Sequence, residues 1–88
     1  MYMHLITSNP HLALGARLSG IDVNEVNGGL SSSQAAFHKA VENKEIAVLC
    51  ISEELEEDLK DTVGDYEKSH SVPAIVHLPL PPEWRNYD

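Results

Sequence analysis

The chain is poor in several residue types, and each shortage excludes certain structural or functional classes. It holds one cysteine in 88 residues, which excludes an intramolecular disulfide framework and indicates a reducing compartment. The sequence has six lysine and arginine residues and 14 acidic ones, for a net charge of −8. A surface of this charge repels nucleic acid and anionic membranes. No stretch approaches the ~20 apolar residues of a membrane span, and the N-terminus lacks the basic region of a signal peptide. These shortages predict a cytoplasmic domain that is not inserted in a membrane.

The longest apolar run covers residues 46–51, with the sequence IAVLCI. Polar residues stop it at both ends, which is typical of a strand covered on both faces. After it, Leu55, Leu59, Val63 and Tyr66 fall at the spacing of an amphipathic helix with acidic residues between them. A buried strand that leads into an amphipathic helix predicts a layered α/β fold.

Four strands are predicted, over residues 2–7, 21–26, 46–51 and 72–78. Helices are predicted between them. The first is capped by Asn9 and ended by Gly20, and the second takes its N-cap and polar entry from residues 31–34, SSSQ. Helical connections favour parallel pairing with right-handed crossovers. We therefore expect a three-layer α-β-α fold, flavodoxin- or receiver-like, with strand order 2-1-3-4. Residues 1–79 form the domain, and residues 80–88 form a proline-rich tail in which no regular helix is expected.

In a parallel sheet the carboxyl ends of the strands are the usual ligand site, and here they would present Ser8, Asn9 and Ser52. The loop after the first strand lacks a glycine fingerprint, so a helix-capping role is favoured over phosphate binding. The acids that receiver chemistry needs at these ends are missing. The five histidines show no metal-ligand spacing, and Cys50 is interpreted as a core residue. No catalytic residue, cofactor or metal site is predicted.

Three short blocks, in this order, resemble the F subunit of the archaeal/vacuolar-type (A/V-type) ATPases. Residues 15–21, GARLSGI, are similar to that family's G-x-R-L-x-G-[IV] turn. Residues 46–55, IAVLCISEEL, are similar to its apolar strand that ends in [ST]-E before an acidic helix. Residues 72–79, VPAIVHLP, are similar to its last strand, P-[AL]-[IV]-[IV]-x-[IL]-P. The blocks lie within residues 2–79.

The resemblance implies a non-catalytic component of the rotor's central stalk, bound to the coiled-coil D subunit and peripheral to the membrane through the ATPase complex. The nine residues after Pro79 are too few for the family's mobile C-terminal helix. Either the chain is truncated or it is a divergent member without the regulatory arm, and a regulatory role is therefore in doubt. The candidate partner contacts are Arg17, Ile21, Leu80 and Trp84. For Arg17 a salt bridge within the domain is an equal alternative, and the tail with Leu80 and Trp84 either folds back or docks on another chain.

Two other functions remain open at this point. One is a small-ligand-binding domain with a pocket near Ser8, Asn9 and Ser52. The other is a self-associating domain that forms a weak homodimer. Fold alone does not decide among the three.

Overall fold

The computed structural model describes residues 1–85, with side chains up to residue 83. The chain alternates strands and helices from its first residues to its last described ones. The elements are β1 (Tyr2–Thr7), α1 (Pro10–Leu18), β2 (Asp22–Glu25), α2 (Leu30–Glu42), β3 (Ile46–Ser52), a 3₁₀ turn (Glu53–Leu55), α3 (Glu56–Glu67), β4 (Ala74–Leu78) and the one-turn helix α4 (Pro82–Arg85).

The four strands form one parallel sheet in the order β2-β1-β3-β4, which confirms the predicted fold class and strand order. The apolar run is the strand β3, which lies between β1 and β4. Leu49 and Ile51 point to one face of the sheet and Cys50 to the other, and all three are buried. An unbroken apolar run was therefore the correct signal of a central strand.

One face of the sheet is covered by two helices, α2 and α3. The buried side chains there form the larger core cluster, which has Phe37 of α2 near its centre. The Phe37 ring meets the Tyr66 ring edge-on, with 5.7 Å between ring centroids. The other members are Ile6, Ala36, Ala40, Ile46, Leu49, Ile51, Leu55, Leu59 and Val63.

The opposite face is covered by α1 alone. Its core is small: Leu5, Ala16 and Cys50 are buried, and partly buried apolar side chains surround them. Because α1 connects β1 to β2, it lies over that half of the sheet and contacts both strands. The half formed by β3 and β4 has no helix over it among the described residues.

The boundaries of α1 follow the sequence signals. The Asn9 side chain accepts hydrogen bonds from the amides of His11 (2.9 Å) and Leu12 (3.0 Å), as an N-cap residue does. Gly20 follows the helix with φ +84°, a backbone conformation that glycine adopts at little cost. Both expectations are confirmed.

Two local expectations were wrong. The second helix is capped by Gly29, and the serines of residues 31–33 lie inside its first turns, because Gly29 already has the extended backbone that a cap needs. Residues 82–85 form one helical turn despite the prolines. Pro82 is its first residue, where a missing amide hydrogen costs nothing.

Candidate partner-binding face

An apolar groove runs along the uncovered half of the sheet, beside α1. We call it the open groove; it encloses about 600 Å³. Strands β1, β3 and β4 form its floor, and α1 with the following turn forms one wall. Its lining residues are Met3, Leu5, His11, Leu12, Gly15, Ala16, Ser19, Ile21, Val48, Cys50, Val76 and Leu78.

Strand alternation explains why the floor is apolar. Side chains along a strand point alternately to the two faces of the sheet. In β4, Ile75 packs against the larger core and His77 points to the α3 side, whereas Val76 and Leu78 line the open groove. Val76 is 42% exposed. A parallel sheet normally buries both faces under helices, so this floor is a core-like surface without its cover.

The apolar surface continues from the groove over α1. Leu14 and Leu18 lie one helical turn apart on the outer side of this helix and are 57% and 81% exposed. Gly15 and Ser19 stand between them and the groove. Small residues at these positions lower the wall, so that a long apolar element can contact both α1 and the sheet floor.

Charge is distributed unevenly over the two faces. Eight of the 14 acidic residues lie between Glu53 and Glu67, in the turn and helix on the covered side. The lining of the open groove contains no aspartate, glutamate, lysine or arginine. In a chain of net charge −8, an uncharged apolar surface of this extent is typical of an interaction site.

The single cysteine lies in the floor of the groove and is 7% exposed. Burial raises the pKa of the Cys50 thiol. A thiol with a raised pKa is a weak nucleophile at neutral pH. Cys50 therefore acts as a small apolar core residue.

A cluster of polar side chains lies apart from the groove, at the carboxyl ends of β1 and β3. There one carboxylate oxygen, Oε2 of Glu54, accepts from the Ser8 amide (2.7 Å), the Ser8 hydroxyl (2.9 Å), the Ser52 hydroxyl (2.7 Å) and the Thr7 hydroxyl (3.0 Å). Partial burial acts to raise the pKa of Glu54, but the hydrogen bonds from Ser52 and Ser8 outweigh it and the pKa is lowered. Glu54 is thus ionised at neutral pH and ties the two strand ends together.

The structure separates the four residues that the sequence proposed as partner contacts. Ile21 is partly buried and lines the open groove. Arg17 lies elsewhere on α1 and forms a salt bridge with Glu25 at the end of β2, with 3.1 Å between Nη1 and Oε1. The internal salt bridge that was expected as an alternative is therefore present.

The tail folds back at its first residues. Leu80 is 5% exposed, and its amide donates to Oε1 of Glu53 (2.9 Å). Trp84 belongs to α4, and its side chain lies outside the described part. Leu80 is thus packed within the domain and does not belong to the groove lining.

Most groove residues were not singled out from the sequence. Met3, Val48, Val76 and Leu78 all lie in predicted strands, where an apolar residue looks like ordinary core. A signal was present nonetheless: four parallel strands with three helical connections leave one half-face of the sheet without a helix. The count of elements, rather than any motif, would have predicted the groove.

The fold is that of a small parallel α/β domain with one half-face of its sheet uncovered. Residues 3–87 match the sequence model of the ATP synthase (F/14-kDa) subunit family. The chain therefore belongs to this family, that of the F subunit of the A/V-type ATP synthases, as the sequence blocks indicated. No curated protein matches the chain significantly. Within residues 1–85, no helix is long and apolar enough to cross a membrane, and no three His, Cys, Asp or Glu side chains are grouped to hold a metal ion.

Proposed function

We propose that this chain is a non-catalytic component of the central stalk of an A/V-type ATPase. In this role it binds the coiled-coil D subunit of the stalk and attaches to the cytoplasmic side of the membrane through the complex. Family membership implies protein partners, and the observation that carries the proposal further is the uncharged open groove.

The groove has the dimensions of a site for one helix. A strand of seven residues such as β3 is ~23 Å long, a length that a helix covers in about four turns. The uncovered half-face is two strands wide, about 10 Å, which matches the diameter of a helix with its side chains. One helix of a coiled coil, with apolar side chains at i, i+3 and i+7, would complete the missing layer.

The groove suits a protein helix better than a small polar ligand. Its volume lies within the range of small-molecule pockets, but such pockets hold several convergent polar groups that orient the ligand. The polar side chains in this lining are those of His11 and Ser19. The other ligand site considered, at Ser8 and Ser52, has its donors engaged by Glu54.

Among the four contact candidates, Ile21 has the most direct support because it lines the groove. Arg17 and Glu25 form an ion pair on the adjacent surface and contribute at the rim of the interface. A contact through Leu80 requires the tail to leave its packed position. Trp84 remains a proposed contact on sequence grounds.

The test is complex formation with the purified coiled-coil D subunit of the same source, measured by light scattering and titration calorimetry. Val76→Asp places a charge in the groove, and Val72→Asp makes the same change at a residue that is 59% exposed outside the groove lining. We expect a one-to-one complex, a Val76→Asp affinity at least tenfold lower (about 1.4 kcal/mol), and an unchanged Val72→Asp affinity.

Both changes are at exposed sites, so both variants should fold, and circular dichroism checks this. Equal binding by the two variants would exclude the groove as the interface. A wild-type chain that forms no complex but dimerises with increasing concentration, and does so less after Val76→Asp, would favour the homodimer instead.

A further inference from the structure

The geometry points to an oxyanion site at the carboxyl ends of β1 and β3 that the chain fills with its own Glu54 side chain. Removing that side chain should leave a site that takes a small external carboxylate or phosphate. This inference is independent of the proposed partner.

The location is the place where this fold type binds ligands. The connection from β1 leads through α1 to β2 on one side, and the connection from β2 returns through α2 to β3 on the other side. The strand order thus reverses between β1 and β3. In open α/β sheets the ligand crevice lies outside the carboxyl ends of the strands at such a point.

The donors come from both strands and converge on one atom. Two belong to Ser8, its amide and its hydroxyl, directly after β1; the others are the hydroxyls of Thr7 and Ser52. Thr7 and Ser52 are fully buried. These donors, three hydroxyls and an amide, are neutral and suit an anion of low charge, such as a carboxylate.

The number of donors favours an ionised oxygen at the centre, in agreement with the lowered pKa of Glu54. Thr7 Oγ1 accepts from the Asn9 amide (3.0 Å) and lies 2.7 Å from the Ser52 hydroxyl. Each hydroxyl has one proton. If one hydroxyl donates to the other, the second still donates to Glu54. With both Ser8 donors, the carboxylate oxygen then receives at least three hydrogen bonds, and an ionised carboxylate has acceptors only.

The site is distinct from the N-terminus of α1. The free amides of that helix at His11 and Leu12 are satisfied by the Asn9 side chain. The carboxylate of Glu54 instead occupies the loop before the cap. It therefore lies at the carboxyl ends of β1 and β3 and does not cap α1.

The experiment compares the thermal unfolding of Glu54→Ala with that of Glu57→Ala, an exposed glutamate one turn along. Sodium acetate and sodium phosphate are titrated at pH 7 against sodium chloride at equal ionic strength. We expect acetate, phosphate or both to raise the melting temperature of Glu54→Ala by roughly 5 °C or more at a tenfold excess over Kd. Wild type and Glu57→Ala should show only the smaller rise that these salts give any protein by exclusion from its surface.

If each salt shifted the melting temperature of the three proteins by the same amount, the inference would be overturned. If Glu54→Ala is unfolded without anion, recovery of its circular dichroism by acetate but not by chloride gives the same answer. In wild type, the NMR signal of the Ser8 amide proton should lie downfield. It should shift on acidification, at a pH below the range in which carboxyl groups usually titrate. An amide shift insensitive to that titration would also contradict the site.

Discussion

The two faces of the sheet are built from the same strands but differ in how completely they are covered. On one face, α2 and α3 enclose ten buried apolar side chains, with Phe37 among them. On the other, α1 encloses three, and the remaining apolar surface is the open groove. The comparison separates two uses of apolar residues: those of the covered face stabilise the domain, and those of the open face form the surface that we propose as the partner site. Four measurements test this division, from the largest expected effect to the smallest.

The largest expected effect is a matched pair of leucine truncations in two helices. Leu59 of α3 is 1% exposed and Leu14 of α1 is 57% exposed. Leu59→Ala should lower the free energy of unfolding by about 2–5 kcal/mol, since it leaves a cavity in the larger core. Leu14→Ala should change it by less than about 0.5 kcal/mol. Urea denaturation measures both, and similar losses at the two sites would mean that α1 is as deeply packed as α3.

Hydrogen exchange should distinguish the helices without mutation. The amides of α1 rest on a small cluster, whereas those of α2 are supported by Phe37, Ala36 and Ala40. We expect amides in the middle of α1 to exchange at least about tenfold faster than those in the middle of α2, because local opening costs less where fewer apolar side chains are buried. Uniform protection across both helices would show a single cooperative unit.

Acidification should loosen the attachment of the single-helix face. Glu54 joins the loop before α1 to the end of β3, and its pKa is lowered in the folded chain. A lowered folded-state pKa stabilises the domain above the ordinary carboxyl value of about 4.3, and this contribution is lost as the pH falls below it. For a partly solvated group we expect a loss of about 1 kcal/mol.

Thermal unfolding between pH 6 and pH 3 measures this loss, with Glu54→Gln as the comparison. The variant should lose less stability than wild type over the acid range, since it has no carboxylate to protonate. Parallel pH curves for the two proteins would show that other carboxylates dominate.

The smallest expected effect concerns the ion pair between Arg17 and Glu25 on the single-helix face. Both side chains are partly exposed, so solvent and salt screen their attraction. A double-mutant cycle with Arg17→Ala and Glu25→Ala should give a coupling energy of less than about 1 kcal/mol, and a smaller one at high salt. A larger, salt-insensitive coupling would mean that this pair organises α1.

The fold was predictable because its signals are local and mutually consistent. The apolar run of β3, the Asn9 cap and Gly20 each act through neighbours a few residues away. The family was predictable for a similar reason, since its blocks are short segments in a recognisable order. Where local signals competed, as between Gly29 and the serines after it, the sequence favoured the wrong cap.

The candidate site was predicted only in part. Ile21 was named and lines the open groove, whereas Leu80, named for its place after the prolines, is buried in the domain. The groove residues are apolar members of ordinary strands, and nothing local distinguishes a covered strand face from an open one. That distinction depends on where each connecting helix lies over the sheet.

The sequence by itself determined the element order as far as β4, the parallel sheet and the central place of β3, since periodicity and caps act over a few residues. Tertiary structure alone decided which half-face stays uncovered, which carboxylate fills the strand ends and where Leu80 packs. Glu54 and Ser8 lie 46 residues apart in the chain, and no local pattern relates them. The physical reason is that such contacts form only when the crossovers bring β1 and β3 side by side.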